Sequence, residues 1–584
     1  FEHFINVVEV STTAFQRATS MVEMSMPFGE YAGNLTTKVP PYLKILRCPR
    51  LKTVHAKETY FFCPTSSRGR YIQELYLPEL ETLGGKMDFN NYSLRKLSLP
   101  KLRNLTGEII AYFSSTTNIE MDLSPLEYLS GHLYIRNVTL KGGLNLPNLK
   151  EMGDGTYSST DPLIYILFAN VEEVNFPSLA KIGNRPVFSL TSPGEDCSIN
   201  IPNLDNVRLS IDDPYGHVKN IDLSSATTLK GYIIAPGLTS LKLSSLQNLI
   251  ADGAVSSETE AVFNFPLITD KSWLFSVEYI YNGVLYNNVS MQNVPALFPE
   301  GWLSEKDLVF PNLKWMGYNR DATYTQESYH LRYRHIGRGL LEGIRSFSAP
   351  NILMFGCVFE DSDELTTIDL PNVKELYRGL ARNLPNLESV NLPKLATLNL
   401  KGKPQYTNLP YKFIENCPKL KYLDLPSCTT VYLNCGYIDL NNTSAMTNDI
   451  QEHWGNITHL RFSTTQSITT SGAICYNSDV EVLEGMFLKL VHTSSNPYYE
   501  HCPLSYATKL RDLRLYHPTS GYFNDTSPIP TDEPHNNYFT GVGDDVPEGV
   551  AKVIHTTSEL TIPESSEFYQ EMVEKRGYTI VKDL

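Results

Sequence analysis

A short pattern recurs along the chain: an apolar, a polar and an apolar residue, then proline, one further residue and a leucine. It reads Leu75-Tyr-Leu-Pro-Glu-Leu80, Leu97-Ser-Leu-Pro-Lys-Leu102, Leu144-Asn-Leu-Pro-Asn-Leu149 and Val174-Asn-Phe-Pro-Ser-Leu179, and returns as Leu308-Val-Phe-Pro-Asn-Leu313, Ile368-Asp-Leu-Pro-Asn-Val373 and Val390-Asn-Leu-Pro-Lys-Leu395. Successive starts from Leu75 to Phe263 lie 20 to 30 residues apart. Alternation of period two predicts a short strand whose two outer side chains share one face. Proline has no N–H to give a ladder, so it ends the strand. Glycines near the unit ends (Gly84, Gly107, Gly131, Gly153, Gly183, Gly231, Gly253) are expected to make turns with positive φ. One unit cannot bury its apolar face. Stacked units can, each pairing with the next in a parallel sheet.

The fullest unit, Asn416-Cys-Pro-Lys-Leu420-Lys-Tyr-Leu423-Asp-Leu-Pro-Ser427, resembles the repeat of the BspA-type leucine-rich-repeat proteins of bacterial surfaces, also found in some protists and phages. The likeness runs irregularly over 42–516, departing by its insertions and by lacking most of the family's Ala-Phe-x-x-Cys segments. It implies a leucine-rich-repeat solenoid of stacked parallel β-strands with few helices, placed outside the cell, and closed by a strand–helix–strand cap.

The ends and breaks of the repeat give the domain organisation. Residues 1–41 do not show it and are expected to be an N-terminal cap or attachment segment. The solenoid is expected over 42–516, with insertions near 267–307 and 317–346. Residues 517–584 are expected to hold an irregular loop and the cap. There Leu560-Thr-Ile-Pro563 reads as a strand, Ser565 or Ser566 as a helix cap, Gly577 as the helix stop and Tyr578-Thr-Ile-Val581 as the closing strand.

Composition narrows the function classes. With 41% apolar and 19% charged residues, the 584-residue chain is not globally disordered. A net charge of −15 makes it a poor nucleic-acid binder. No run of 18 apolar residues offers a membrane span. The chain starts at Phe1, so a signal peptide, lipid anchor or fibre domain upstream stays open. The nine cysteines form no Cys-x-x-Cys pair and read as buried thiols. Nucleophile-elbow, zinc-helix and phosphate-loop signatures are missing. His330 and His335 sit among arginines, and Glu360-Asp-Ser-Asp-Glu364 lacks a calcium-loop pattern, so no metal or cofactor is expected.

Two sets of residues stand out for binding. The insert 317–346 and the segment 516–550 are rich in tyrosine, a contact residue that covers area at little entropy cost. From these come the candidate ligand contacts Tyr318, Tyr324, Tyr329, Arg332, Tyr333, Arg334, Tyr516, Tyr522 and Tyr538. The second set is the middle residue of the strands: Asp122, Asn145, Asn175, Asn200, Asp222, Asn264, Asp369, Asn391 and Asp424. Asn and Asp are depleted in strands, so a polar row is expected on the outer face, either bonding along the stack or meeting a ligand. The expectation is a non-enzymatic extracellular recognition or adhesion protein that binds a protein or glycan. The alternatives are a phage tail or receptor-binding protein, a surface lipoprotein capturing glycans or peptides, and a glycan-active enzyme.

Overall fold

The computed structural model describes residues 14–55, 60–62, 71–153, 163–183, 188–251, 261–282, 297–298, 302–303, 306–318, 344–399, 412–432, 454–470, 474–486, 504–516 and 539–584, apart from 16, 27, 32–33, 91–92, 141, 357, 378, 476–477, 505 and 540. The chain forms two compact units, residues 1–274 and 275–584.

In the first unit each coil carries strands on up to three sides. The Leu-x-Leu segments supply the first. Leu46, Leu75, Leu97 and Met121 follow one another in parallel register, and the first three are buried. Leu144, Val174, Ile199 and Ile221 do the same further along. The ladder is already present within the first 41 residues, where Glu23–Ser25 pairs with Ile45–Arg47. The second side is a sheet of seven two-residue strands, from Glu30–Tyr31 to Lys181–Ile182. The third runs through Tyr60–Phe62, Lys86–Asp88, Glu108–Asp122, His132–Leu140, Ile164–Leu167, Phe188–Thr191, Asn206–Asp212 and Thr228–Ile234. The Leu-x-Leu-Pro motif marks only the first of these sides: a two-residue strand is too short to show an alternation, and the alternating strands of the third side lie outside the motif.

Two devices turn the chain at the proline. Leu80 N–H donates to the Leu77 carbonyl (3.2 Å) and Leu149 to Leu146 (3.2 Å), closing a tight turn over it. The asparagine after the proline then reaches back one coil. Asn203 Nδ2 donates to the Pro177 carbonyl at 2.6 Å, and in the second unit Asn351 does so to Pro311 (2.7 Å) and Asn372 to Pro350 (2.6 Å). Each bond satisfies a turn carbonyl that has no ladder partner, which accounts for the recurring Pro-Asn-Leu.

The glycines act differently from the expectation. Among those near unit ends, Gly231 has a positive φ (+131°), whereas Gly84, Gly107 and Gly131 do not. A Cβ on Gly131 would lie 1.6 Å from the Gly107 carbonyl oxygen, and one on Gly107 2.0 Å from that of Gly85. Close approach of successive coils, not turn handedness, requires glycine there.

The second unit repeats the scheme. Asp307–Val309, Ser346–Ser348, Thr367–Asp369 and Ser389–Asn391 form one parallel ladder. Tyr422–Asp424 begins another, which continues through His459–Arg461, Val482–Gly485, Asp512–Leu515 and Val553–Thr556 to Thr579–Lys582. The final strand–helix–strand is present. Ser566 Oγ accepts the Tyr569 N–H (3.2 Å) at the head of the helical turn Glu567–Tyr569, which continues as a π-helix over Gln570–Lys575, and Gly577 follows at φ +74°. One boundary is corrected: Leu560–Pro563 is not a strand. Val553–Thr556 is, and Leu560 takes the turn position, its N–H donating to the Thr557 carbonyl at 3.1 Å as Leu80 does to Leu77.

Cys48, Cys197, Cys417, Cys428 and Cys475 are free and buried. Burial pushes the thiols of Cys48, Cys197 and Cys428 up to about 12. Mass mapping after alkylation at pH 8 should find these five unmodified in the native chain and modified after denaturation. Leu423 is fully buried, so Leu423→Ala should cost about 2–5 kcal/mol in a chemical melt. Gly131→Ala should cost about 1–3 kcal/mol, since the clashing atom is backbone.

Candidate functional site

Most of the tyrosine and arginine contacts expected from the insertions (Tyr324, Tyr329, Arg332, Tyr333, Arg334, Tyr522, Tyr538) lie outside the described residues. Tyr318 ends the strand Trp315–Tyr318. Tyr516 is half-buried behind Asp512–Leu515, its N–H donating to the Gly485 carbonyl at 3.1 Å. Burial and the nearby Glu484 push its phenol up.

The polar row lies on the outer face, and much of it bonds along the stack. Asn175 Nδ2 donates to Asn145 Oδ1 (3.1 Å), and Asn200 Nδ2 to Asn175 Oδ1 (2.7 Å). Asp222 follows Asn200 in register and takes Lys242 Nζ at 2.7 Å. Burial raises the Asp222 carboxyl, but Lys242 and Ser224 outweigh this and hold it below its ordinary value. Asp122 accepts the Ser124 N–H (2.9 Å). In the second unit Asp369 accepts from Asn391 (2.7 Å) and Ser348 (2.9 Å), and Asp424 meets Arg461 at 3.2 Å. Asn264 is half-buried beside Ile234. Asparagine suits such a row because its amide both donates and accepts.

A different cluster is built on the third side of the first unit. In His132–Leu140 and Ile164–Leu167, Leu133, Ile135, Ile164 and Ile166 point inward and are buried. Tyr134, Arg136 and Tyr165 therefore face out. Tyr134 lies directly beside Tyr165, and Tyr112 beside Arg136. The rings of Tyr112 and Tyr134 are 6.1 Å apart and those of Tyr134 and Tyr165 5.2 Å, each pair tilted by about 30°. The Arg136 guanidinium lies 4.4 Å from the Tyr112 ring centre and 6.0 Å from that of Phe168, and donates to the Tyr112 hydroxyl. A β-bulge between Tyr112 and Thr117 borders the cluster. The same outward row continues through Ser189 and Ser210 to Tyr232. Burial pushes the Tyr232 phenol up to about 12.

Phe168 is the unusual member. It stands at the corner after the strand, beside Asn137 on one coil and Ser192 on the next. All three have positive φ: +52°, +49° and +44°. The equivalent corner in the second unit is held by Asp361, Asn383 and Asn416 at +56°, +52° and +51°. These bond in series, Asn383 to Asp361 and Asn416 to Asn383, each at 2.8 Å. Asn and Asp tolerate this conformation, whereas for a bulky residue it is an outlier. Phe168 accepts the strain and leaves 46% of its surface in water. Neither burial nor backbone preference explains a phenylalanine there. For the tyrosines of the cluster the sequence did carry a signal, in that Tyr-Ile recurs at 134–135 and 165–166 within alternating segments. It lies outside the Leu-x-Leu-Pro motif that dominates the pattern.

Elsewhere, an open groove near the C-terminus is lined by Asp544, Lys552, Glu571, Lys575 and Arg576. Its ions are largely matched, Arg576 to Asp544 at 2.8 Å and Lys575 to Glu571. Among the described residues no group of three His, Cys, Asp or Glu side chains could hold a metal ion, and no helix is long and apolar enough to cross a membrane.

The strand ladders make the chain a leucine-rich-repeat solenoid. No family model matches it, and no curated protein does. Among solved structures it is similar to a chain of the TLR13–ssRNA13 complex, at 13% identity and a TM-score of 0.18 over 94% of this chain and 93% of that one. It is also similar to a chain of the mouse RP105/MD-1 complex, at 11% identity and a TM-score of 0.14 over 83% and 88%. At these scores neither likeness bears on a site or a ligand.

If Phe168 is held against its backbone preference, Phe168→Asn should raise stability by about 0.5–1 kcal/mol in a chemical melt. A loss of more than 1 kcal/mol would show that the ring is there for packing.

Proposed function

We propose that the chain is a non-enzymatic recognition protein that binds a protein partner at the corner formed by Tyr112, Tyr134, Arg136, Tyr165 and Phe168. The observation that carries this reading is the exposed phenylalanine in a left-handed backbone conformation that Asp361, Asn383 and Asn416 fill at the equivalent corner of the second unit. Strain retained at an exposed position points to function rather than folding. The rest of the cluster suits a binding hot spot. Tyrosine and arginine dominate such spots, and here the rings already lie against one another before any partner arrives, so little rotamer freedom remains to be lost on binding. The Asn145–Asn175–Asn200 ladder is the weaker candidate, because its amides already serve one another.

An extracellular setting rests on the likeness of the 416–427 unit to BspA-type repeats. That family, adhesion, and the tyrosines of 318–333 as further contacts belong to the same proposal. A random dodecapeptide display library panned on the intact chain tests it. Enriched peptides should lose at least ten-fold in affinity on Tyr134→Ala/Tyr165→Ala, and less than two-fold on Asn145→Ala/Asn175→Ala. The reverse order would move the site to the polar row.

A further inference from the structure

Among the described residues Arg136 meets no acid, unlike five other strand cations of its unit. Lys86 meets Glu108 at 2.8 Å, Lys96 meets Glu120 at 2.5 Å, Arg47 meets Glu23 at 2.5 Å, Lys181 meets Glu151 at 2.5 Å and Lys242 meets Asp222 at 2.7 Å. Each pair joins neighbouring coils. Arg136 instead has Tyr112 and Leu167 as its lateral neighbours. Its hydrogen bond goes to the Tyr112 hydroxyl, and among the described residues no acceptor meets its buried Nε.

A guanidinium that lies 4.4 Å from one ring centre and 6.0 Å from another, with no carboxylate among the described residues, is an incomplete interaction. Stacking fixes the plane of the fork, and with it the direction from which an anion can approach. Displacing water from around an unpaired charge is costly, so a partner that covers this corner with apolar surface alone would be penalised. One that brings an acceptor would not. A single cation matches a single negative charge, and the planar fork matches the two oxygens of a carboxylate.

The geometry points to a protein segment that places an Asp or Glu carboxylate on Arg136 and an apolar or aromatic side chain against Phe168 and the tyrosine stack. This deepens the recognition reading and rests on it. The chain carries a net charge of −15, so acidic segments are repelled elsewhere on its surface. A local unpaired cation therefore gives positional selectivity as well as affinity.

The test uses the full-length chain and a positional-scanning set of amidated hexapeptides, each position fixed in turn as Glu, Gln, Lys or Phe. At one position Glu should bind at least five-fold better than Gln, and Lys worst. A neighbouring position should favour Phe. Raising NaCl from 0.05 to 0.5 M should reduce the Glu advantage, because the pair is partly exposed. Arg136→Gln should abolish the Glu preference and keep the Phe preference, whereas Phe168→Asn should do the opposite. Peptides captured with Phe168 dependence but equal affinity for Glu and Gln would overturn the carboxylate inference while leaving the recognition site standing. Capture insensitive to Phe168→Asn, or no capture, would overturn both. A parallel arm with oligogalacturonates, which carry carboxylates on a glycan, should show no Arg136-dependent binding; binding there in place of the peptides would also overturn the protein assignment.

Discussion

Everything in this fold depends on successive coils lying one strand spacing apart, about 4.8 Å. At that distance every coil must offer its neighbour hydrogen-bonding groups in register and must avoid side chains where backbones touch. Leucine pairs such as Leu46, Leu75 and Leu97 fill the interior at this spacing. Gly107 and Gly131 are glycine because a single carbon would collide with the coil before. The asparagine after proline closes a backbone carbonyl of the preceding coil's turn. Leucine, glycine, proline and asparagine thus recur for four separate consequences of one distance.

The same spacing organises the outer surface. Residues at equivalent positions become neighbours, so each polar type is presented as a row and meets its own kind. Asparagine thrives there because it donates and accepts, and oppositely charged residues pair across coils. A surface that satisfies itself in this way gives a partner little to bind. The corner around Phe168 is where the self-satisfaction stops: an aromatic interrupts a left-handed polar row, and a guanidinium meets no acid among the described residues. The features that stand apart from the repeat are the ones that suit recognition.

The parallel solenoid, the inward leucines, the outward polar row and the helical cap were legible because each follows from alternation or capping chemistry within a dozen residues. The second side of the coil was not, since strands such as Thr82–Leu83 are too short to alternate. The glycines were legible as necessary but not for the right reason: Gly131 is defined by a contact with Gly107 that no local pattern reveals. Leu560–Pro563 resembled a strand because its composition matches the motif, but pairing with Asp512–Leu515 is taken by Val553–Thr556. Phe168 was not legible at all. Its significance lies in the sign of φ and in the identity of its neighbours one coil away.

Hydrogen exchange at the corner tests the account most directly. The N–H of Phe168 donates to the Thr191 carbonyl (2.9 Å), and that of Ser192 to the Asp212 carbonyl (2.8 Å). These bonds exist only if both residues take the left-handed turn with the coils in register. The account predicts that both amides exchange as slowly as those of the adjoining strands Ile164–Leu167 and Phe188–Thr191. Exchange at the rate of an unstructured peptide would mean that the corner is not formed and that Phe168 stores no strain.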